Sequence, residues 1–225
     1  MKTITITGSE GLIGSELMKY FSKKNKVIGL DLNLGHDLSD EIFVKKWFKE
    51  NHTDHLINCF ALNHHIDNNK NKKYTLFDFP LDSFSKYLEI NLTSLFSVCR
   101  EFAKNNKYGT IVNFSSTYGV VSSKPNLYDS AHKDIGYGVS KAGVINLTKY
   151  LAAHLAPNIR VNCLVPGGVH FNQTKQFIKN YSKLTPMKRM MKSGELNSIV
   201  DYLSSDNSSY TTGSVFVIDG GYTIW

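Results

Sequence analysis

Hydrophobic and polar positions alternate in two rhythms along the chain, one of period two and one near 3.6. Met1 to Thr7 alternates polar with apolar and predicts a strand over Lys2–Thr7. Leu12, Ile13, Leu17 and Phe21 share one helical face and predict a helix over Leu12–Ser22. Val27–Leu30 is a short apolar run ending at Asp31. Asp40 is an N-cap residue in front of a helix to Glu50 whose apolar face is Ile42, Phe43 and Trp47. His55–Cys59 predicts a strand, and the Lys/Asn-rich stretch Asn63–Pro80 predicts a loop. Leu81–Asn105 is a long helical pattern, followed by a strand at Thr110–Ser115 and a loop from Ser116 to Gly136. Tyr137–Leu155 is a second long helix, stopped by Pro157. Ile159–Val165 is a strand interrupted by Pro166-Gly167-Gly168, with helical pieces at Gln173–Lys183 and Gly194–Ser204 beyond it. Ser214–Ile218 is the last strand before Asp219-Gly220-Gly221.

Strands separated by helices require right-handed crossovers. The fold class is therefore α/β: a doubly wound, mostly parallel, Rossmann-type sheet in three α/β/α layers. The 225 residues, 41% of them apolar, supply one substantial core. They predict one domain over 1–225, with a cofactor half at about 1–115 and a catalytic and substrate half at about 116–225. No run of eighteen apolar residues is present, so no membrane partner is expected. The N-terminal alternation belongs to a strand and not to a signal peptide, which predicts a cytoplasmic protein.

Charge and cysteine change this picture little. The net charge is +7, but only Arg100, Arg160 and Arg189 are arginine, and no reader motif accompanies them. Scattered lysine predicts a solvated surface without nucleic acid as partner, and is compatible with an anionic small substrate. Cys59, Cys99 and Cys163 lack CxxC spacing and read as free thiols. The eight histidines show no metal-ligand spacing, His64-His65 falling in the polar loop, so no metal is expected.

Chemistry concentrates in Tyr137-Gly138-Val139-Ser140-Lys141. A Tyr and a Lys four apart share a helix face, and an ammonium beside a phenol favours the phenolate. Such a phenol passes protons to or from an alcohol oxygen. Ser116 is placed to hydrogen-bond that oxygen, with Ser115 as the alternative. Gly8, Gly11 and Gly14 follow a strand and open a helix, the context in which a backbone turn and helix N-terminus hold a pyrophosphate. Asp31 closes the next strand about twenty residues on, where a carboxylate accepts from both ribose hydroxyls and repels a 2′-phosphate. Glu10 adds negative charge and Leu32-Asn33 supplies no cation, so NAD(H) is expected over NADP(H).

Together these residues resemble the short-chain dehydrogenase/reductase family over nearly the whole chain. Thr7-Gly8 through Glu10, Gly11, Leu12, Ile13 and Gly14 resembles its cofactor turn, and Asp37-Leu38 its adenine-contacting acidic pair. Asn58 resembles the start of its Asn-Asn-Ala-Gly element, with Cys59-Phe60-Ala61 replacing the rest. Asn91 resembles its catalytic Asn, which would hold a water linking Lys141 to solvent; an Asn that only bends a long helix is the rival reading. The strand ending at Ser116 resembles the one that carries its catalytic Ser. Pro166, Gly167 and Val169 fall in its nicotinamide-side loop, where Phe171 replaces a frequent Thr. By this resemblance Tyr137 is the acid/base, and Tyr137 and Lys141 also touch the cofactor.

Several departures from the family pattern matter. The glycine spacing is that of the family's two-domain extended branch, yet no room remains for its substrate domain. Asp31 and Asp37 lie only six apart, so the third strand or its preceding helix is expected to be cut down. The 21 residues from Ser116 to Tyr137 imply an insertion beside the substrate pocket. With Pro186-Met187-Lys188-Arg189-Met190 and Trp225, that insertion resembles a subgroup near surface-glycan and flagellin-modification genes. Gly168–Lys192 is expected to cover the substrate, with Lys188 and Arg189 as possible anion contacts. The implied activity is NAD(H)-dependent interconversion of a secondary alcohol and a ketone on a sugar or sugar derivative, in a homodimer or homotetramer. The alternatives are a 3-oxoacyl thioester reductase, a sugar-nucleotide epimerase or dehydratase, and a non-catalytic cofactor sensor.

Overall fold

The computed structural model describes residues 1–63, 74–128 and 133–225. The His64-His65 pair and part of the loop before Tyr137 lie outside the described residues. The first element is β1 (Thr3–Thr7), followed by α1 (Leu12–Phe21), β2 (Lys26–Leu30), α2 (Glu41–Glu50) and β3 (His55–Asn58). Then come α3 (Leu81–Leu88), α4 (Ser94–Asn105), β4 (Gly109–Phe114), α5 (Ile135–Leu155) and β5 (Ile159–Pro166). The chain closes with α6 (Lys175–Leu184), α7 (Asn197–Leu203) and β6 (Val215–Ile218).

The strands form one parallel sheet in the order β2-β1-β3-β4-β5-β6. The order reverses between β1 and β3, the point at which open α/β sheets bind their ligands, outside the carboxyl ends of the strands. Between β2 and β3 the described chain makes a short turn and one helix and no further strand, leaving β2 at the sheet edge. The shortened segment after Asp31 is thus a missing strand.

Ile4, Ile6, Leu17, Ile57, Val112 and Leu203 pack on one face of the sheet, beneath α1 and α7. Leu56, Phe48, Val98, Phe102, Ile111, Val144 and Leu151 pack on the other, beneath α2, α4 and α5. Both faces are covered, as parallel strands require. Asp40 caps α2 through Ile42 N and Phe43 N. The buried side of α2 is Val44 and Phe48, with Phe43 and Trp47 alongside, whereas Ile42 is exposed. The expected apolar face was thus placed partly on the wrong side: Ile42 sits in the first turn, beyond the sheet. The long helix at 81–105 is interrupted by a π-helical turn at Glu89–Thr93.

A row of buried polar side chains crosses the sheet at one register. Thr7 Oγ1 donates to Asn58 Oδ1 at 3.0 Å, Asn58 Nδ2 to Asn113 Oδ1 at 2.9 Å, and Asn113 Nδ2 to Thr148 Oγ1 at 3.0 Å. Buried polar groups must be paired, so this ladder locks the rotation of α5 against the sheet. Thr148 lies two helical turns after Lys141, so the same lock aims Tyr137 and Lys141 at the carboxyl ends of the strands.

Candidate active site

The glycine turn begins where β1 ends. Gly8 has φ +69, and its N–H donates to Leu30 O at 2.8 Å. A Cβ there would come within 2.5 Å of Phe60 N, and one on Gly14 would collide with Gly8 O. Only glycine lets the turn fold this tightly against both the end of β3 and α1. Gly11 is the N-cap of α1 and supplies no side chain, so the first-turn N–H groups are left without that cap. A cradle that any Cβ would fill, at an uncapped helix N-terminus, fits a pyrophosphate.

Asp31 lies beside this turn. Its carboxylate accepts from Glu10 N at 3.1 Å and from Asn33 N at 2.9 Å, while its own N–H faces His36 Nδ1 at 3.4 Å. Asp37 instead accepts from Ser39 N and Ser39 Oγ, which hold its carboxyl below the ordinary value. Leu38 is buried in the core. The side chain of Asn58 is spent in the polar ladder.

On the catalytic side, Ser115 Oγ donates to Lys141 O at 2.6 Å, which occupies it structurally. Ser116 Oγ accepts from Tyr118 N at 3.2 Å and is hydrogen-bonded to Tyr137. Of the two serines, Ser116 therefore faces the phenol. Tyr137 and Lys141 are both buried in the first turns of α5. Lys141 Nζ donates to Phe114 O at 2.7 Å and lies 5.9 Å from the centre of the Tyr137 ring. Burial pushes Lys141 down to about 8. Burial also raises the Tyr137 phenol, the Ser116 hydrogen bond acting against it. The lowering expected from the neighbouring lysine is thus not found: loss of solvent dominates, and the opposing influence comes from Ser116.

Asn91 sits in the π-helical turn. Its Oδ1 accepts from Leu62 N at 2.6 Å, and its Nδ2 donates to Leu62 O and Ser140 Oγ, both at 3.0 Å. It clamps the strand-end loop after β3 to α5. Pro166 ends β5 and Gly167 follows it; a Cβ on Gly167 would approach Asp219 Cα to 2.8 Å. Val169 bridges to Met191, closing the segment that carries α6.

The glycine turn, Asp31, Ser116, Tyr137, Lys141 and Pro166–Val169 thus meet along the carboxyl edge of one sheet. A recess of about 220 Å³ lined by Lys2, His55, Asp201 and Asp206 lies at the opposite, amino edge, away from these groups. Residues 14–223 match the family described as "Enoyl-(Acyl carrier protein) reductase". The chain belongs to the short-chain dehydrogenase/reductase family.

Among relatives, this short-chain dehydrogenase/reductase is 35% identical to D-arabinitol 2-dehydrogenase [ribulose-forming] of Candida tropicalis, over 66% of this chain and 55% of that enzyme. The match spans little more than half the length of that relative. It is also 28% identical to post-translational flagellin modification protein A of Campylobacter coli, over 98% of each chain. In structure it resembles a short chain dehydrogenase of Leptospira borgpetersenii with bound NAD+. The TM-score is 0.85 and the identity 34%, covering 99% of this chain and 92% of that one.

The structure also brings in groups that the sequence did not single out. Lys133 Nζ lies 4.6 Å from the Tyr137 ring centre, bonds Asn63 Oδ1, and is pushed by burial down to about 8. Tyr87, on α3, packs edge-on to Tyr137 and donates to Asp134 Oδ2 at 2.6 Å. A lysine four residues before the tyrosine was the available signal, but it lies in a loop whose path no periodicity fixes. Arg189 is engaged twice with Glu195, at 2.6 and 2.7 Å, and Lys188 sits over the Trp225 ring. The two cations expected near the substrate are therefore held by other partners.

Proposed function

We propose that this protein is an NAD(H)-dependent oxidoreductase that interconverts a secondary alcohol and a ketone on a sugar or sugar derivative. The observation that carries the reading is the Ser116–Tyr137–Lys141 group standing on the same sheet edge as the glycine cradle. NAD+ bound to the Leptospira structure supports the cofactor, and the arabinitol dehydrogenase supports the substrate class. Gly8, Glu10, Gly11, Leu12, Ile13 and Gly14 would hold the pyrophosphate, Asp31 the adenosine ribose, and Pro166, Gly167 and Val169 the nicotinamide side. The bound nicotinamide supplies or accepts the hydride.

The chain's own residues handle the proton. In reduction, the Tyr137 hydroxyl gives its proton to the oxygen of the former carbonyl, and in oxidation the phenolate takes it from the alcohol. Ser116 Oγ donates a hydrogen bond to the same oxygen and fixes its position. Lys141, charged below about pH 8, would stand beside the phenol and would reach the nicotinamide ribose. Asn91 holds the loop that borders this space. Residues 1–115 form the cofactor half and 116–225 the catalytic and substrate half, which also borders the nicotinamide. Phe96 on α4 and Val139 and Tyr150 on α5 are exposed, which supports pairing of these helices in a homodimer or homotetramer. No helix among the described residues is long and apolar enough to cross a membrane; a cytoplasmic location completes the proposal.

Incubation with NAD+ and a panel of pentitols and hexitols, followed by absorbance of the reduced nicotinamide, tests the reading. Net cofactor reduction is expected. A product formed without net cofactor change would replace it with an epimerase or dehydratase, and binding without turnover with a sensor.

A further inference from the structure

The loop beyond Ser116 builds a wall of tyrosines. Tyr118, two residues after Ser116, donates its N–H to Ser116 Oγ, and its carbonyl packs against Gly138 beside Tyr137. Its hydroxyl is hydrogen-bonded to that of Tyr128. The Tyr128 ring leans on Phe177 of α6 at 5.6 Å, Phe177 stacks on Tyr181 at 6.2 Å, and Tyr181 stacks on Tyr222 at 5.0 Å. At the far end Tyr181 Oη accepts from Gly168 N at 2.6 Å. One end of the wall is thus bonded to the catalytic serine and the other to the loop after β5. On the oxidoreductase reading, the reacting carbon would stand between those two anchors.

Tyr118 and Tyr128 both keep part of their surface open. Two phenols bonded to each other use one proton between them and leave the second to donate outward, with acceptor lone pairs to spare. Burial raises both phenols far above their ordinary value, so the wall presents neutral hydroxyls at any working pH. The Tyr137 phenol is close enough to add to the shift of Tyr128. Arg189 and Lys188, meanwhile, are engaged elsewhere. Neutral donors and aromatic faces suit C–H surfaces and hydroxyls better than a phosphate.

We propose that Tyr128, paired with Tyr118, is the specificity-determining wall of the substrate pocket, and that it reads a neutral hydroxyl on a carbon next to the reacting one. The substrate class is then an uncharged polyol or its α-hydroxy ketone. This inference rests on the oxidoreductase reading for the placement of the reacting carbon.

The test compares Tyr128→Phe and Tyr118→Phe with the unchanged protein. Arabinitol, xylitol and ribitol are set against 2-pentanol, which lacks the neighbouring hydroxyls. Removing one neutral hydrogen bond is expected to raise KM for the best pentitol about 3- to 10-fold, a clearly larger change than any seen with 2-pentanol. Calorimetry of the same pentitol on the NADH-loaded protein is expected to show the same loss of affinity. Pentitol and 2-pentanol constants that move together, or that do not move, would overturn the inference. Pentitol binding weakened by Tyr128→Phe without turnover of any alcohol would keep the wall and remove the oxidoreductase reading. Absence of pentitol binding by the unchanged protein would remove the wall. Matching near-ultraviolet circular dichroism of the variants excludes a folding cause.

Discussion

Tyr137 stands between two ammonium groups, Lys133 at 4.6 Å and Lys141 at 5.9 Å from its ring centre. Burial lowers both lysines to about 8 and raises the phenol. The site therefore confines charge in a poorly solvated place, where a change of charge nearby has a large effect. Asp31 does the corresponding work at the adenosine end, its carboxylate aimed by Glu10 N and Asn33 N. Replacing Asp31 by Ala is expected to narrow the preference for NAD(H) over NADP(H) about tenfold or more, read as the ratio of kcat/KM values. An unchanged ratio would show that Asp31 does not read the ribose. Tyr137, Lys141, Ser116 and Asp31 were legible because each stands at a fixed offset from an element end. Lys133, Tyr118 and Tyr128 were not, because their proximity depends on how a long loop folds back. Ser115 and Ser116 were separable only once Lys141 O was seen to occupy the former.

Among the elements, the π-helical turn at Glu89–Thr93 is the one with a visible purpose. Its extra residue turns Asn91 out of the helical register and onto Leu62. Asn91→Leu would leave the half-buried N–H and C=O of Leu62 unpaired and is expected to cost about 1–3 kcal/mol. The urea midpoint measures this; an unchanged midpoint would show that the clamp carries no stability. Periodicity gave the helices to within a few residues, since their apolar stripes are long. It could not reveal the π-turn, whose sequence Glu89-Ile90-Asn91-Leu92-Thr93 keeps a helical pattern. It misplaced Ile42, because hydrophobicity alone does not say which side of a first turn meets the sheet. That the segment after β2 is cut down was readable from chain length, six residues being too few for a crossover, but not whether the strand or its helix was lost.

For the molecule as a whole, the two covered sheet faces bury many acidic hydrogens. Unfolded thiols titrate near 9.0, but Cys99 is raised to about 12 and Cys163 to about 11. Tyr181 is raised from 10.0 to about 12, and Tyr118, Tyr128, Tyr137 and Tyr222 also rise. Above the unfolded values the folded chain keeps protons that the unfolded chain has lost, so stability falls as pH rises. Lys133 and Lys141 act oppositely. Their folded values lie at about 8 against 10.5 unfolded, so their penalty is full below 8 and is relieved up to 10.5. Stability is therefore expected to rise slightly from about pH 8 to 9 and to fall beyond 10, where the thiols and phenols outnumber the lysines. Urea midpoints across that range check it; a midpoint still rising near pH 11 would contradict it. The central claim, that a buried phenol on this sheet edge moves the proton of an alcohol while the cofactor takes the hydride, is tested most directly by one comparison. NADH formation from NAD+ and the best pentitol is measured for the unchanged protein and for Tyr137→Phe, with NAD+ affinity determined alongside. Turnover by the unchanged protein, and none above background in a variant that still binds NAD+ normally, is the expected result; equal turnover by both would contradict the account.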